Sequence, residues 1–150
     1  MRVNRLRTRR RAICRGDVAA VVLQIGSNDL TDDQCLVDKF VADYWQYIQY
    51  IRRRYRVQRA VVMEVLHRKE PLRYRMNMMV AEYNEKVDNT NAPLKVMCRR
   101  STNVVFWQHN KHVRLPSVIC RDGVHLHANG MKNYWRRVRD AVARCARMTA

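Results

Sequence analysis

The chain has 150 residues, of which 47% are hydrophobic, and this is enough for one ordinary domain with a sizeable core. Four glycines and three prolines leave little room for a long flexible linker. Its 30 Lys and Arg residues outnumber 13 Asp and Glu residues, so the formal net charge is +17 and attracts polyanions. Nucleic acid is therefore a candidate partner, although a basic solvated surface without such a partner has the same composition.

Cysteine usage and the amino-terminal residues bear on the cellular compartment. The five cysteines show no Cys-x-x-Cys spacing, and their odd number argues against a closed disulfide framework. Residues 1–15 hold seven arginines but no apolar stretch of the length that a signal peptide needs. The apolar run at residues 18–25 is too short to span a bilayer. We expect an intracellular protein, cytoplasmic or nuclear, without a membrane span.

The first predicted elements are a basic helix at residues 1–16 and a strand at Val18–Ile25. The strand is a continuous apolar run ended by Gly26, a pattern typical of burial on both faces of a parallel sheet. Asp32 and Asp33 then open a helix with a basic carboxyl end, which favours the helix dipole. Its apolar stripe recurs at three- and four-residue steps. The stripe comprises Leu36, Val37, Phe40, Val41, Tyr44, Ile48, Ile51 and Tyr55.

The middle of the chain repeats the alternation of strand and helix. Ala60–Leu66 is predicted to be a second buried strand, and a second amphipathic helix follows until Pro93 interrupts it. The apolar positions of that helix are Met76, Met79, Val80, Tyr83 and Val87. Leu94–Cys98 suggests one further helical turn, and Val104–Trp107 is predicted to be a third strand.

The last third contains an irregular segment at residues 109–121 and a final helix preceded by Asn129 and Gly130. The residues expected to share the apolar face of this helix are Met131, Tyr134, Val138, Ala141, Val142 and Cys145. Alternation of this kind predicts an α/β fold with a parallel sheet and helices on both faces. Chemistry in such sheets collects at the carboxyl ends of the strands.

Two short motifs lie beyond the carboxyl ends of predicted strands. Gly26-Ser27-Asn28-Asp29 follows the first strand, and Asp122-Gly123-Val124-His125 follows the irregular segment. Either motif alone reads as a hydrogen-bonded turn. Their joint order and spacing favour a catalytic interpretation, because a general base needs a carboxylate to orient it and a tetrahedral intermediate needs an amide donor.

These two motifs resemble blocks of the SGNH (GDSL-type) hydrolases, and the similarity covers nearly the whole chain. The resemblance implies a three-layer, flavodoxin-like sandwich and ester hydrolysis through Ser-His-Asp. It implies that His125 is the base, Asp122 its orienter and Asn28 an oxyanion donor, with Gly26 and Asp29 supporting the motif. Some relatives lie in retroelement reading frames.

The nucleophile block of that family, Gly-Asp-Ser, is absent from these residues. The serines are Ser27, Ser101 and Ser117, and none follows Gly-Asp after a strand. The resemblance therefore implies a single partial domain over residues 1–150 that lacks its first strands. We expect it to be inactive, with an ester substrate only if the missing segment is supplied. An unpaired edge on the first strand would favour self-association.

Two weaker interpretations remain. The histidines at His109, His112, His125 and His127 suggest a zinc cluster, but no cysteine or carboxylate spacing completes it. We expect no metal or cofactor, and we expect His109, His112 and His127 to be loop residues near the rim of the site. The alternative function is a non-catalytic, basic nucleic-acid-binding module of retroelement origin, using arginine blocks interleaved with aromatic residues.

Overall fold

The computed structural model describes residues 19–71 and 78–147. The expected basic helix at residues 1–16, Val18 and Met76 lie outside these ranges. The elements, in chain order, are β1 (Ala20–Leu23), α1 (Val37–Arg54), β2 (Arg59–Met63), α2 (Val80–Arg99), β3 (Val104–Trp107), α3 (Lys111–Arg114), a 3-10 turn (Pro116–Val118) and α4 (Ala128–Arg147).

The three described strands form one parallel sheet in the order β1-β2-β3. In β1 and β2, Val22 lies opposite Val61, and the same β2 residue lies opposite Val105 of β3. Four of the five residues of the central strand β2 are buried, whereas three of the four residues of β1 are only half-buried. Both faces of β1 are packed as predicted, since Val21 and Leu23 contact the hydrophobic cluster on one face of the sheet and Ala20 and Val22 contact the cluster on the other. The burial is incomplete because β1 pairs only with β2 among the described strands. Self-association through its outer edge stays a prediction.

Helices cover both faces of the sheet, which confirms the predicted α/β architecture. On one face, α1 and α2 pack on each other and bury the larger of two hydrophobic clusters. Its fully buried side chains include Tyr44, Ile48, Tyr83, Val87 and Leu94. On the other face, α4 buries Ala141 and Cys145 against Val61 and Met63 of β2. Burying two apolar faces of one sheet is the main source of stability in this architecture.

Helix α1 begins at Val37, later than predicted. The side chain of Asp32 accepts a hydrogen bond from the Gln34 amide at 3.0 Å, and the Asp32 carbonyl accepts one from the Cys35 amide at 2.9 Å. Such local bonds compete with helix formation, so the two aspartates belong to turns. Leu36, predicted in the buried stripe, is 70% exposed for the same reason.

Helix α2 runs through Pro93 to Arg99, so the predicted interruption at this proline is wrong. Proline removes one backbone hydrogen bond from a helix and clashes with the preceding turn, at a cost of about 3 kcal/mol. Leu94 and Cys98, both buried in the larger cluster, lie beyond the proline and keep the last turns packed on the core. Tertiary burial therefore outweighs the local preference.

Helix α4 begins at Ala128, so Asn129 and Gly130 lie inside it. Met131 and Val142 were predicted on its buried face, but they are 39% and 46% exposed, and the α4 side chains that pack on the sheet are Val138, Ala141 and Cys145. At its carboxyl end, the Arg59 guanidinium of β2 donates to the Cys145 carbonyl at 2.7 Å. No helix among the described residues is long and apolar enough to cross a membrane.

Candidate active site

The Gly26–Asp29 turn lies at the carboxyl end of β1. The Gly26 carbonyl accepts hydrogen bonds from the amides of Asp29 at 3.0 Å and Leu30 at 3.1 Å. Gly26 has φ +107°, and a Cβ there would lie 2.8 Å from the Phe40 ring, so both backbone conformation and space favour glycine. The Asn28 carbonyl accepts from the Thr31 hydroxyl at 2.8 Å. The turn thus presents the Asn28 side chain on the exposed surface.

The Ser27 hydroxyl has two neighbours in this turn. It lies 3.0 Å from the Tyr83 hydroxyl and accepts from the Arg68 guanidinium at 3.2 Å. The same guanidinium lies over the Tyr83 ring, 4.3 Å from its centroid. These contacts give Ser27 a place in a polar cluster that ties β1 to α2. A nucleophilic serine would instead need a general base, such as a histidine, as its hydrogen-bond partner.

Asp122 and His125 form a compact local pair. One oxygen of the Asp122 carboxylate, Oδ1, accepts from the amides of Val124 at 2.9 Å and His125 at 3.0 Å. The other, Oδ2, lies 2.6 Å from Nδ1 of His125. The Val124 amide, followed by the imidazole and amide of His125, lowers the pKa of Asp122 to about 2.

This pairing has a consequence for the imidazole. A carboxylate held ionised favours a proton on Nδ1, which leaves Nε2 of a neutral ring free to accept one. The side chain of His125 is 76% exposed, so a hydroxyl could approach it from solvent. The Asp122–His125 pair thus has the geometry that a histidine general base requires.

Backbone contacts fix the turn that carries this pair. Gly123 has φ +78°, and a Cβ at this position would overlap the Lys69 carbonyl oxygen. The Lys69 amide donates to the Gly123 carbonyl at 3.1 Å. A bridge between Ile119 and Leu126 closes the base of the turn. The segment predicted as irregular before the turn is more ordered than expected, because α3 and the 3-10 turn occupy part of it.

The structure places two of the predicted site residues in direct contact. Asp122 and His125 contact each other, whereas no hydrogen bond within residues 19–71 and 78–147 joins Asn28 to either of them. Gly26 and Asp29 hold the Asn28 turn by the backbone bonds described above. The catalytic roles of these residues stay predictions.

One buried polar residue, just beyond the end of β2, was missed. Glu64 is 4% exposed and accepts from the His109 amide at 2.8 Å, with the Arg114 guanidinium at 3.4 Å. Burial raises the pKa of Glu64, and the positive charge of Arg114 opposes that rise. The only sequence feature that pointed to Glu64 was its position as an acidic residue inside the apolar run Ala60–Leu66.

His109 was expected at the rim of the site, but its ring is buried and packs 5.4 Å from the Tyr134 ring. Burial, followed by the charges of Arg137 and Arg114, lowers the pKa of His109 to about 4. The ring is therefore neutral near neutral pH and helps to fill the space between β3 and α4.

A cavity of about 30 Å³ lies beside the His125 turn, lined in part by Glu64, His67, Asn91, Val124 and Leu126. This volume can hold one or two water molecules but not an acyl chain. Within the described ranges, no group of three or more His, Cys, Asp or Glu residues is placed to hold a metal ion.

Several solved structures share this fold. A candidate platelet activating factor from Streptococcus pneumonia is 21% identical, with a TM-score of 0.76, and the match covers 93% of this chain and 67% of that protein. A candidate acylhydrolase from Bacteroides fragilis and a GDSL-like lipase from Bacteroides thetaiotaomicron are each 16% identical, with TM-scores of 0.67 and 0.68. Each match covers 84% of this chain but only 62% of the Bacteroides protein, so the chain spans less than two thirds of their length.

Sequence comparison assigns the family. No curated protein sequence matches the chain significantly. The family model for GDSL-like lipase/acylhydrolase proteins matches residues 1–138, which include both motif turns and most of α4. The chain therefore belongs to the GDSL-like lipase/acylhydrolase family.

Proposed function

We propose that this chain carries the base, orienter and oxyanion donor of an ester-hydrolysing site and that the 150-residue chain is itself inactive. The observation that carries the proposal is the 2.6 Å contact between His125 Nδ1 and Asp122 Oδ2, with the imidazole exposed to solvent. A buried or unpaired histidine would not support it. The reaction also needs a serine hydroxyl beside Nε2, which this site would have to receive from another segment.

Each residue would have a defined role when such a serine is present. Nε2 of His125 takes the hydroxyl proton as the serine oxygen attacks the ester carbonyl, and it later returns that proton to the leaving alkoxide. Asp122 stabilises the imidazolium and keeps the proton on Nδ1. The Asn28 amide donates a hydrogen bond to the oxyanion of the tetrahedral intermediate. Water then hydrolyses the acyl-serine ester with His125 as base.

A fluorophosphonate probe tests the proposed inactivity. Labelling requires an activated serine, and the described contacts of Ser27 are to Tyr83 and Arg68. We expect no covalent adduct by mass spectrometry under conditions that label an intact family member completely. Stoichiometric labelling that disappears in Ser27→Ala would refute the proposal and make Ser27 the nucleophile.

A hybrid protein tests the proposed roles. If a segment with the Gly-Asp-Ser block of an intact relative is fused upstream, the hybrid should hydrolyse a short-chain aryl ester. His125→Ala should nearly abolish turnover, and Asn28→Ala should lower kcat by about 10² to 10³, the usual effect of losing one oxyanion donor. Asp122→Asn should lower kcat without unfolding the protein, because it disturbs the tautomer. A matched control is His112→Ala on α3, which is exposed and should retain the rate.

The hybrid also allows a clear negative result. Circular dichroism of each variant would establish that the fold is kept. A folded, active hybrid that is indifferent to His125→Ala would show that another base serves the serine, and the proposed site would then be wrong.

We propose nucleic-acid binding as a second candidate function, supported by the solvent-facing side of α4. Trp135 is 59% exposed there, and the neighbouring Lys132, Arg136 and Arg139 are also exposed. An exposed aromatic ring among cations can stack on a base while the cations contact phosphates. The net charge of +17 acts in the same direction.

Salt titration with a single-stranded oligonucleotide tests this second function. We expect the logarithm of the affinity to fall linearly with the logarithm of the salt concentration. Trp135→Ala should weaken binding by about 1–3 kcal/mol, the usual contribution of one stacked base. Tyr50→Ala, at an aromatic residue 37% exposed on α1, is the matched control. Affinity that is insensitive to salt, or equal in the two variants, would exclude this interface.

A further inference from the structure

The segment that follows β2, residues 64–71, contacts both motif turns through two consecutive residues. We infer that Arg68 and Lys69 are positioning residues that hold the Asn28 turn and the Asp122–His125 turn in a fixed relative position. This inference rests on the proposed function, since it concerns how that site is assembled.

Arg68 reaches the first turn. Its guanidinium donates to the Ser27 carbonyl at 3.3 Å and to the Ser27 hydroxyl at 3.2 Å. Ser27 directly precedes Asn28, so these bonds act on the peptide that carries the amide donor. The Tyr83 ring lies under the guanidinium and restricts it to one side of α2. Hydrogen bonds from a charged donor are stronger than neutral ones, which suits a positioning role.

The Arg68 backbone is itself fixed. Its amide donates to Oδ1 of Asn84 at 2.8 Å, and its carbonyl accepts from Nδ2 of Asn84 at 3.0 Å. This two-bond contact fastens the loop to α2 as one rung of a β-ladder would. The Arg68 side chain therefore extends from a defined point on the scaffold, and it does not depend on a free loop for its direction.

Lys69 reaches the second turn from the adjacent position. Its amide donates to the Gly123 carbonyl at 3.1 Å, and its ammonium donates to the Ile119 carbonyl. Gly123 is the residue after Asp122, and Ile119 belongs to the bridge that closes the turn. The absence of a Cβ at Gly123 allows the Lys69 carbonyl to approach this closely. The tip of the turn and one of its ends are thus bound to one residue.

The peptide between Arg68 and Lys69 therefore connects the turns. Consecutive Cα atoms are about 3.8 Å apart across a rigid trans peptide, so a displacement at one residue is passed to the other. On one side of this peptide Arg68 is bound to Ser27, and on the other side Lys69 is bound to Gly123 and Ile119. A site that needs an amide donor and a base at set positions depends on such a connection.

Amide hydrogen exchange on the full chain, followed by NMR, tests the connection. Arg68→Met and Lys69→Met each remove one charged donor and keep a long apolar stem. The reporters are the Leu30 amide in the first turn and the Val124 and His125 amides in the second. Loss of a purely local contact would affect only the turn that the altered residue touches.

The connection predicts effects on the opposite turn. Lys69→Met should speed exchange at Leu30, and Arg68→Met should speed it at Val124 and His125, by about 2- to 30-fold, the range for coupling through a contiguous network. Arg53→Met, an exposed arginine on α1, is the matched control and should change neither turn. Should Arg68→Met fail to fold, Arg68→Lys keeps the charge but loses the fork and should give the same effect in reduced size.

Two outcomes would overturn the inference. One is a change confined to the turn that each residue contacts. The other is an equal rise at the amide of Val62, which is fully buried in the central strand, because that would indicate loss of global stability. The measurement involves no hydrolysis, so its failure leaves the proposed acylhydrolase site standing, and a failed hybrid enzyme leaves the connection standing.

Discussion

Gly123 offers the sharpest test of how the His125 turn is held. Its φ of +78° is in the left-handed region, where an L-residue costs about 1–2 kcal/mol more than glycine. A Cβ would also overlap the Lys69 carbonyl oxygen, which is backbone and cannot rotate away. Separating the two segments would break the 3.1 Å bond from the Lys69 amide to the Gly123 carbonyl, whose net contribution is about 0.5–1.5 kcal/mol. Gly123→Ala should therefore destabilise the chain by about 2–3 kcal/mol.

Urea unfolding measured by circular dichroism would check this value. With an m-value of about 1–3 kcal/mol per molar for a protein of this size, the midpoint should fall by about 1 M. Gly130→Ala is the matched control. It also brings a Cβ close to a carbonyl oxygen, that of Val118 at 2.8 Å, but it lies in α4 with helical φ and gains helix propensity. A loss at Gly123 no larger than the loss at Gly130 would refute the reasoning.

Three further predictions concern stability. The pKa of Asp122 in the folded chain is about 2, below its ordinary value, so the stabilisation by its carboxylate is present above the unfolded pKa and is lost as the pH falls through 2. In urea unfolding, the wild type should be more stable than Asp122→Asn by less than about 1 kcal/mol, because solvent screens the pair. This difference should shrink on acidification. Pro93→Ala should raise the melting temperature, because it restores a backbone donor inside α2, and a lower melting temperature would contradict this view of the helix. Val61→Ala, at a fully buried position in the central strand, should lower the free energy of unfolding by about 2 kcal/mol, and Val21→Ala in the half-buried edge strand should lower it clearly less. Equal losses would mean that the outer edge of β1 is covered.

The parts of the fold that follow from local pattern were predictable from sequence. The third strand has the predicted bounds, Val104–Trp107, because a short apolar run leaves few alternatives. The Asp122–His125 contact was also predictable from the sequence, since a three-residue spacing brings the two side chains together in one turn. Helices on both faces followed from the alternation of elements.

Other features depend on contacts between distant residues. The late start of α1 reflects the side chain of Asp32 bonding to its own turn, and the continuation past Pro93 reflects the burial of Leu94. No local pattern marks His109 as buried, because its burial arises from packing against Tyr134 on another element. Likewise, nothing near Lys69 in the sequence indicates Gly123 as its partner. Propensity cannot report such pairings, since they exist only after the chain has folded.

The Arg59 bond to the end of α4 has a consequence for the order of unfolding. A helix normally frays from its last turn, where carbonyls lack partners, but here a cation on the central strand accommodates one of them at 2.7 Å. The first turn of α4 is in turn continuous with the His125 segment, since the Met131 amide donates to the His127 carbonyl at 2.8 Å. Opening of the helix from either end therefore disturbs the sheet or the Asp122–His125 turn. Residues 125–147 should accordingly unfold as one cooperative unit with β2. The Arg59 contact at the carboxyl end of α4 should therefore also limit the motion of His125.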